Sequence, residues 1–188
     1  MKSIFVQIAS YRDPELVPTI KSLLENASKP ERIKICVAHQ FAEEDEWDRL
    51  DQFASDGRFT VIQIPYDESQ GTCWARNQIQ QHYNNEDYTL QLDSHHRFAL
   101  GWDEECISTI ENLQSQGFKK PLLSSYCPDY SPNKTDALDT TAYGMKVNTW
   151  KDGVVLFNSF ALPKTNAPVP SRFYSGHFTF TLGQFCKE

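Results

Sequence analysis

The chain has 188 residues, 39% of them hydrophobic and 13% aromatic, which suits one domain with a sizeable core and excludes a disordered chain. A formal net charge of −7 without a basic stripe argues against nucleic acid as a partner. A mean hydropathy of −0.55, with no apolar run approaching the length of a bilayer, argues against a membrane span.

The start is basic and then apolar, but the apolar stretch is too short for a secretory leader, and Tyr11-Arg12-Asp13 follows at once. Ile4–Ala9 reads instead as a buried strand. Asp13 and Pro14 have the character of a helix N-cap and first helical residue. The helix they open carries Leu16, Ile20, Leu23 and Leu24 inward and ends near Asn26. Arg32–His39 is a second strand. Glu43–Ala54 is acidic, with Trp47, Leu50 and Phe53 at helical spacing, and is expected to be a helix. Phe59–Pro65 is a third strand, Gly71-Thr72 opens a helix to about His82, and Tyr88–Asp93 is a fourth strand. Gly101-Trp102-Asp103 opens a helix to about Gln116, and Leu122–Tyr126 is a fifth strand.

This alternation predicts a mostly parallel sheet with helices on both faces, and ligands at the carboxyl ends of its strands. Ala9-Ser10-Tyr11, Pro65-Tyr66-Asp67 and Asp93-Ser94-His95 all lie at such ends. From Cys127 the character changes. Cys127–Ala142 reads as a loop, Tyr143–Trp150 and Gly153–Leu162 as an antiparallel pair, Pro163–Pro170 as a second loop, and Phe173–Phe180 as an alternating segment. One domain over 1–188 is expected, with an α/β part at 1–126 and a smaller, antiparallel part at 127–188.

The five cysteines are odd in number and lack CxxC spacing, so zinc and a disulfide framework are both disfavoured. Reduced thiols and a cytoplasmic setting are the simpler expectation.

Chemistry concentrates at Asp93-Ser94-His95. On a continuing strand, residues i and i+2 share a face, so Asp93 and His95 would reach one divalent cation. A carboxylate beside an imidazole suits an ion such as Mn2+ (or Mg2+) that also takes phosphate oxygens. An acidic protein that binds a diphosphate also needs a cation to offset repulsion. The plainer alternative is a turn-capping Asp beside a surface His.

The stretches Ile4–Pro14 (IFVQIASYRDP), Gly71–Gln78 (GTCWARNQ), Leu90–Asp103 (LQLDSHHRFALGWD) and Ser175–Gly183 (SGHFTFTLG) resemble the GT-A glycosyltransferases. They are most similar to the polypeptide N-acetylglucosaminyltransferases, and the first three are spaced as in that family. The resemblance implies a Rossmann-like GT-A fold and retaining transfer of GlcNAc from UDP-GlcNAc to a hydroxyl-bearing protein or glycan acceptor. It also implies an Asp-x-His metal motif at Asp93 and His95, and donor contacts from Ala9, Ser10, Tyr11, Arg12, Asp67, Arg76, Asn77, Ser94, Arg97 and Gly176. Arg76 would fork onto phosphate or onto an acidic group of the site. A structural salt bridge is an equal alternative for Arg97, and a core Trp102 with an N-capping Asp103 is one for a pocket-lining Trp102-Asp103. His177 stands where the family tends to have a small residue. It admits a metal-ligand role, with packing favoured. Family members look longer than this chain, so a UDP-sugar-binding module without turnover, or a GT-A transferase of another sugar, stays open.

Overall fold

The computed structural model describes residues 2–132, 139–165 and 167–188. Its main sheet has six strands. They are β1 (Ile4–Tyr11), β2 (Ile33–Phe41), β3 (Phe59–Pro65), β4 (Tyr88–Asp93), β5 (Leu122–Ser124) and β8 (Phe178–Leu182). The spatial order is β3-β2-β1-β4-β8-β5, with β3, β2, β1 and β4 mutually parallel and β8 antiparallel to both its neighbours. β6 (Tyr143–Lys151) and β7 (Val154–Ala161) form a separate two-stranded antiparallel sheet. Asp152 and Gly153 both have positive φ at its turn, the backbone that a tight hairpin requires.

β1, β2 and β4 are largely buried because both faces are covered, whereas the edge strand β3 buries only Ile64. On one face, α1 (Leu16–Glu25) and α3 (Trp102–Ser115) bury Leu16, Ile20, Leu23, Trp102, Ile107 and Ile110 against β1, β2 and β4. On the other, α2 (Thr72–Gln80) packs Ala75 and Ile79 on Phe5, Cys36 and Ala38. Burying each such side chain contributes about 1.5–3 kcal/mol.

Four expectations are corrected. Glu43–Ala54 is not an α-helix; its described structure is turns and a 3-10 turn at Asp51–Phe53. Asp45 and Asp48 turn inward to pair with Arg12 and His39, while Trp47 stays 51% exposed, so the helical spacing did not mark a buried stripe. Asp13 and Pro14 do not open α1 as N-cap and first helical residue: Glu15 holds the N-cap position and the helix starts at Leu16. β5 ends at Ser124, short of Tyr126. Asp103 is not an N-cap: Gly101 holds that position, and Asp103 is fully buried, accepting hydrogen bonds from Ser28, Lys29 and Arg32. Trp102 takes the core alternative, its indole N–H donating to the Leu23 carbonyl.

The two loops expected after Cys127 and Pro163 fall partly on residues 133–138 and 166, outside the described residues. Among the described residues no helix is long and apolar enough to cross a membrane.

Candidate functional site

β4 ends at Asp93 and the chain bends at Ser94, so the strand pleat does not extend to His95 as the spacing argument assumed. Burial nevertheless alternates. Ser94 and His96 turn inward, while the side chains of Asp93 and His95 remain 31% and 58% exposed. Both side chains are therefore open to solvent, Asp93 on the last residue of β4 and His95 held by Asp13 ahead of α1.

Thr19 on α1 clasps this bend. Its hydroxyl accepts the His96 N–H at 2.8 Å and donates to the Ser94 carbonyl at 2.8 Å. Just ahead of the helix, Asp13 Oδ1 accepts the Glu15 N–H at 2.9 Å, as a turn cap should. Its other oxygen, Oδ2, accepts Ser94 Oγ–H at 2.6 Å and His95 Nδ1–H at 2.8 Å. Burial alone would raise the Asp13 pKa, but these hydrogen bonds outweigh it and hold the carboxyl at about 2. The bond to Asp13, aided by the charges of Asp13, Asp93 and Glu15, shifts His95 upward.

Two further histidines lie beside the bend. Burial pushes His96 down to about 4, and its Nδ1–H donates to the Asp93 carbonyl at 3.0 Å. His177 is also shifted down by burial. Its Nε2 accepts the Cys127 N–H at 2.9 Å, and its Nδ1 lies 3.1 Å from Ser175 Oγ. Both ring nitrogens of His177 are thus engaged within the protein, which fits packing rather than ligation. The Cys127 thiol is pushed up to about 11 by burial and is inert as a nucleophile.

Arg76 projects from α2 toward the same strand end. Its Nη2 donates to Asp93 Oδ1 at 2.7 Å and to the Gly176 carbonyl at 2.9 Å. The Asp93 N–H in turn donates to the His177 carbonyl, so the segment entering β8 closes the site from one side. Gly176 is required by closeness: a Cβ there would lie 2.9 Å from Arg76 Nη1.

Among the described residues no group of three or more His, Cys, Asp or Glu side chains is placed to hold a metal ion. Asp93 and His95 offer two ligands at most. Such a donor set does not fit a closed zinc site. It does fit a hard cation that keeps water and borrows phosphate oxygens from a substrate.

The turn after β1 lies against this rim, because Ala9 is the register partner of Asp93. Ser10 is fully buried, and its backbone carbonyl accepts the Gln40 side-chain amide. Tyr11 is 53% exposed and meets Tyr66 edge-on. Arg12, at φ +49, forks onto Asp45 at 2.6 and 2.9 Å and lies over the Tyr66 ring. Asp67 is exposed on the 3-10 turn after β3. Arg97 takes the salt-bridge alternative, pairing with Glu15 at 2.5 Å and with the Tyr130 hydroxyl at 3.0 Å. Asn77 is exposed and accepts from Gln81, so it is not gathered with Arg76. A cavity of about 380 Å3 lies beyond the Arg12–Asp45 pair, lined by His39, Asp48, Leu50 and Gln63 among others. Asp93, His95 and Arg76 do not line it.

Sequence reasoning missed the second role of Asp13, the Thr19 clasp, and the inward turn of Asp45 and Asp48. Asp13 and Thr19 lie 75 or more positions from their partners, and no local pattern signals such contacts.

The family model for Glycosyltransferase (GlcNAc) matches the chain over residues 3–58 and 48–188. No curated protein matches it. Among solved structures, S. aureus TarS 1–349 aligns over 100% of this chain and 48% of its own, at 12% identity and a TM-score of 0.62. The same protein in complex with UDP-GlcNAc aligns over 73% of this chain and 37% of its own, at 13% identity and a TM-score of 0.56. The mannosyltransferase PcManGT from Pyrobaculum calidifontis, in complex with GDP-Man and Mn2+, aligns over 66% of this chain and 35% of its own, at 11% identity and a TM-score of 0.51. The chain thus spans less than half the length of these structures.

Proposed function

Because this chain belongs to the Glycosyltransferase (GlcNAc) family and has the GT-A fold, we propose that it moves GlcNAc from UDP-GlcNAc to a hydroxyl on a protein or glycan, with retention and with a divalent cation, Mn2+ or Mg2+. The observation that carries this assignment is the pairing at the end of β4. Asp93 is oriented by Arg76, beside a His95 whose Nδ1 is already engaged by Asp13. That leaves Nε2 of His95 as the ring nitrogen available to an incoming cation. Asp93 and His95 would hold the ion, and when bound it would supply Lewis-acid stabilisation to the leaving diphosphate.

The other roles fall to the chain's own residues. Arg76 is a fixed guanidinium that can share its donors between Asp93 and a phosphate oxygen, a preorganised electrostatic role. Ala9, Ser10, Tyr11 and Arg12 would receive the nucleoside, with Tyr11 and Tyr66 as the exposed aromatic surface. Asp67, Asn77, Ser94, Arg97 and Gly176 remain in the donor assignment by resemblance. Among them, Ser94, Arg97 and Gly176 would act through the contacts that shape the rim. With no protein nucleophile assigned, retention is accounted for by front-face attack, in which a donor phosphate oxygen takes the acceptor proton. All five cysteines are free, which supports a cytoplasmic setting.

A second reading, a UDP-sugar-binding module without turnover, is favoured by length, since the chain spans 48% of the TarS structure. Release of UDP from UDP-GlcNAc, measured with Mn2+ and with EDTA, separates the two. Turnover confined to Mn2+ supports the transferase. Thermal stabilisation by Mn2+ and UDP-sugar without turnover supports the module. Asp93→Asn should lose the Mn2+-dependent part of UDP binding while remaining folded. UDP binding as tight as the parent's would sink the metal assignment. A thermal-shift series across UDP, GDP and UDP-sugars reads the donor preference.

A further inference from the structure

Asp13 has an arrangement that a simple turn cap does not need. One oxygen caps the turn through the Glu15 N–H, while the other takes two hydroxyl- or imidazole-borne protons from the bend after β4. We infer that Asp13 is a positioning residue, holding the His95 imidazole as the Nδ1–H tautomer so that Nε2 presents its lone pair outward to a divalent cation. The inference rests on the metal reading above and extends it to a residue that touches neither cation nor donor.

The chemistry follows from the bond itself. An ionised carboxylate only accepts hydrogen bonds, so the ring nitrogen 2.8 Å from Asp13 Oδ2 must be the one bearing a proton. In the neutral imidazole the second nitrogen then carries the lone pair, and it is the second nitrogen that is remote from Asp13. A carboxylate behind a ligating imidazole fixes both ring orientation and tautomer, and it raises the basicity of the ligating nitrogen. Ser94 completes the device. Its Oγ, 2.6 Å from the same oxygen, restrains the carboxylate against rotation. His95 is 58% exposed, and among the described residues its ring makes no side-chain hydrogen bond other than that to Asp13.

Two measurements test this on the full chain, and one requires neither metal nor activity. Imidazole 15N shifts of His95, read without metal at a pH where the ring is neutral, should show protonated Nδ1 and bare Nε2 in the parent. In Asp13→Ala the signal should move toward the Nε2–H form that a free imidazole prefers. Mn2+ affinity in the presence of UDP, followed by the electron paramagnetic resonance of free Mn2+, should fall about 10- to 100-fold in Asp13→Ala. It should fall less in Asp13→Asn, which retains an acceptor oxygen. An unchanged tautomer or an unchanged Mn2+ affinity in a folded Asp13→Ala overturns the inference. Where Asp13→Ala does not fold, Asp13→Asn decides: several-fold weaker binding supports the role, and parental affinity overturns it. Asp93→Asn is the control that separates the two levels. Parental affinity there overturns the metal reading and this inference together, whereas loss at Asp93 with none at Asp13 overturns the positioning role alone.

Discussion

Arg76 Nη2 lies 2.7 Å from Asp93 Oδ1, and the same nitrogen donates to the carbonyl of Gly176, 100 residues further along the chain. α2, the end of β4 and the segment entering β8 therefore converge on one guanidinium. The carboxylate is oriented before any donor arrives, which is the condition for an electrostatic site that spends little on reorganisation.

Gly176→Ala should break this convergence. The added methyl would sit 2.9 Å from Arg76 Nη1, and the guanidinium is pinned by two hydrogen bonds, so it must leave one of them. UDP release from UDP-GlcNAc should fall about 10- to 100-fold, the scale of a small misplacement of a charged group. The melting temperature should change little, because Arg76 can swing toward solvent. Parental turnover in the alanine variant would show that the Arg76 position is not needed.

Thr19→Val keeps the shape of the side chain but removes the hydroxyl that joins α1 to the bend. The His96 N–H and Ser94 carbonyl, both buried, lose their partner. A cost of about 1–3 kcal/mol in unfolding free energy is expected. Chemical denaturation should register it as a lower midpoint with an unchanged slope. Faster amide exchange at His96 would locate the loss.

Asp103 should make the fold acid-sensitive. Burial raises its pKa, but hydrogen bonds from the Ser28 and Lys29 N–H groups and from Arg32 outweigh this and hold it below the ordinary 3.8. A depressed folded pKa means that the unfolded chain binds the proton first. Its contribution is fully present above about pH 4 and is lost as pH falls through the folded value. Asp103→Asn should therefore be less stable than the parent at neutral pH, with a shallower loss of stability below pH about 4. Asp103→Ala, which leaves the buried Arg32 with Glu104 alone and the Ser28 and Lys29 N–H groups without their acceptor, should cost more than Asp103→Asn. Denaturation series from pH 2 to 7 on the parent and both variants compare the slopes.

Gly183→Ala should separate stability from the site. A Cβ there would run into the Glu86 carbonyl and come within 2.9 Å of the Tyr83 ring. This contact is at the start of β4, the end of the strand opposite Asp93, since Tyr88 pairs with Leu182. Overpacking of about 1–3 kcal/mol should lower the melting temperature. UDP binding at a temperature where the variant stays folded should match the parent.

Much of the architecture is legible because β1, β2 and β4 are largely buried. Ile4–Ala9, Arg32–His39 and Tyr88–Asp93 are dense in apolar or β-favouring residues, and each lies within a residue or two of its observed limits. The Glu43–Ala54 segment misleads because Trp47, Leu50 and Phe53 share helical spacing, whereas Asp45 and Asp48 turn inward to Arg12 and His39. The alternation of Phe178 and Phe180 is visible in the sequence, but nothing local reveals a strand lying between β4 and β5. At the site, an acidic group is one of two destinations the sequence offers Arg76, but nothing in it singles out Asp93 as that group. The sequence makes Asp13 a helix N-cap, but Glu15 holds that position, and Asp13 instead closes the turn ahead of the helix with one of its two oxygens.

The insertion of β8 between β4 and β5 has a consequence for synthesis. A nascent chain emerging from the ribosome can pair β1, β2, β3 and β4, yet one margin of β4 stays bare until Phe178–Leu182 clears the exit tunnel. Until then the Asp93 amide lacks the His177 carbonyl, and Arg76 lacks the Gly176 carbonyl. The geometry of the candidate site is thus among the last features to form. A polypeptide interrupted before that segment would expose an unpaired β margin, inviting edge-to-edge association.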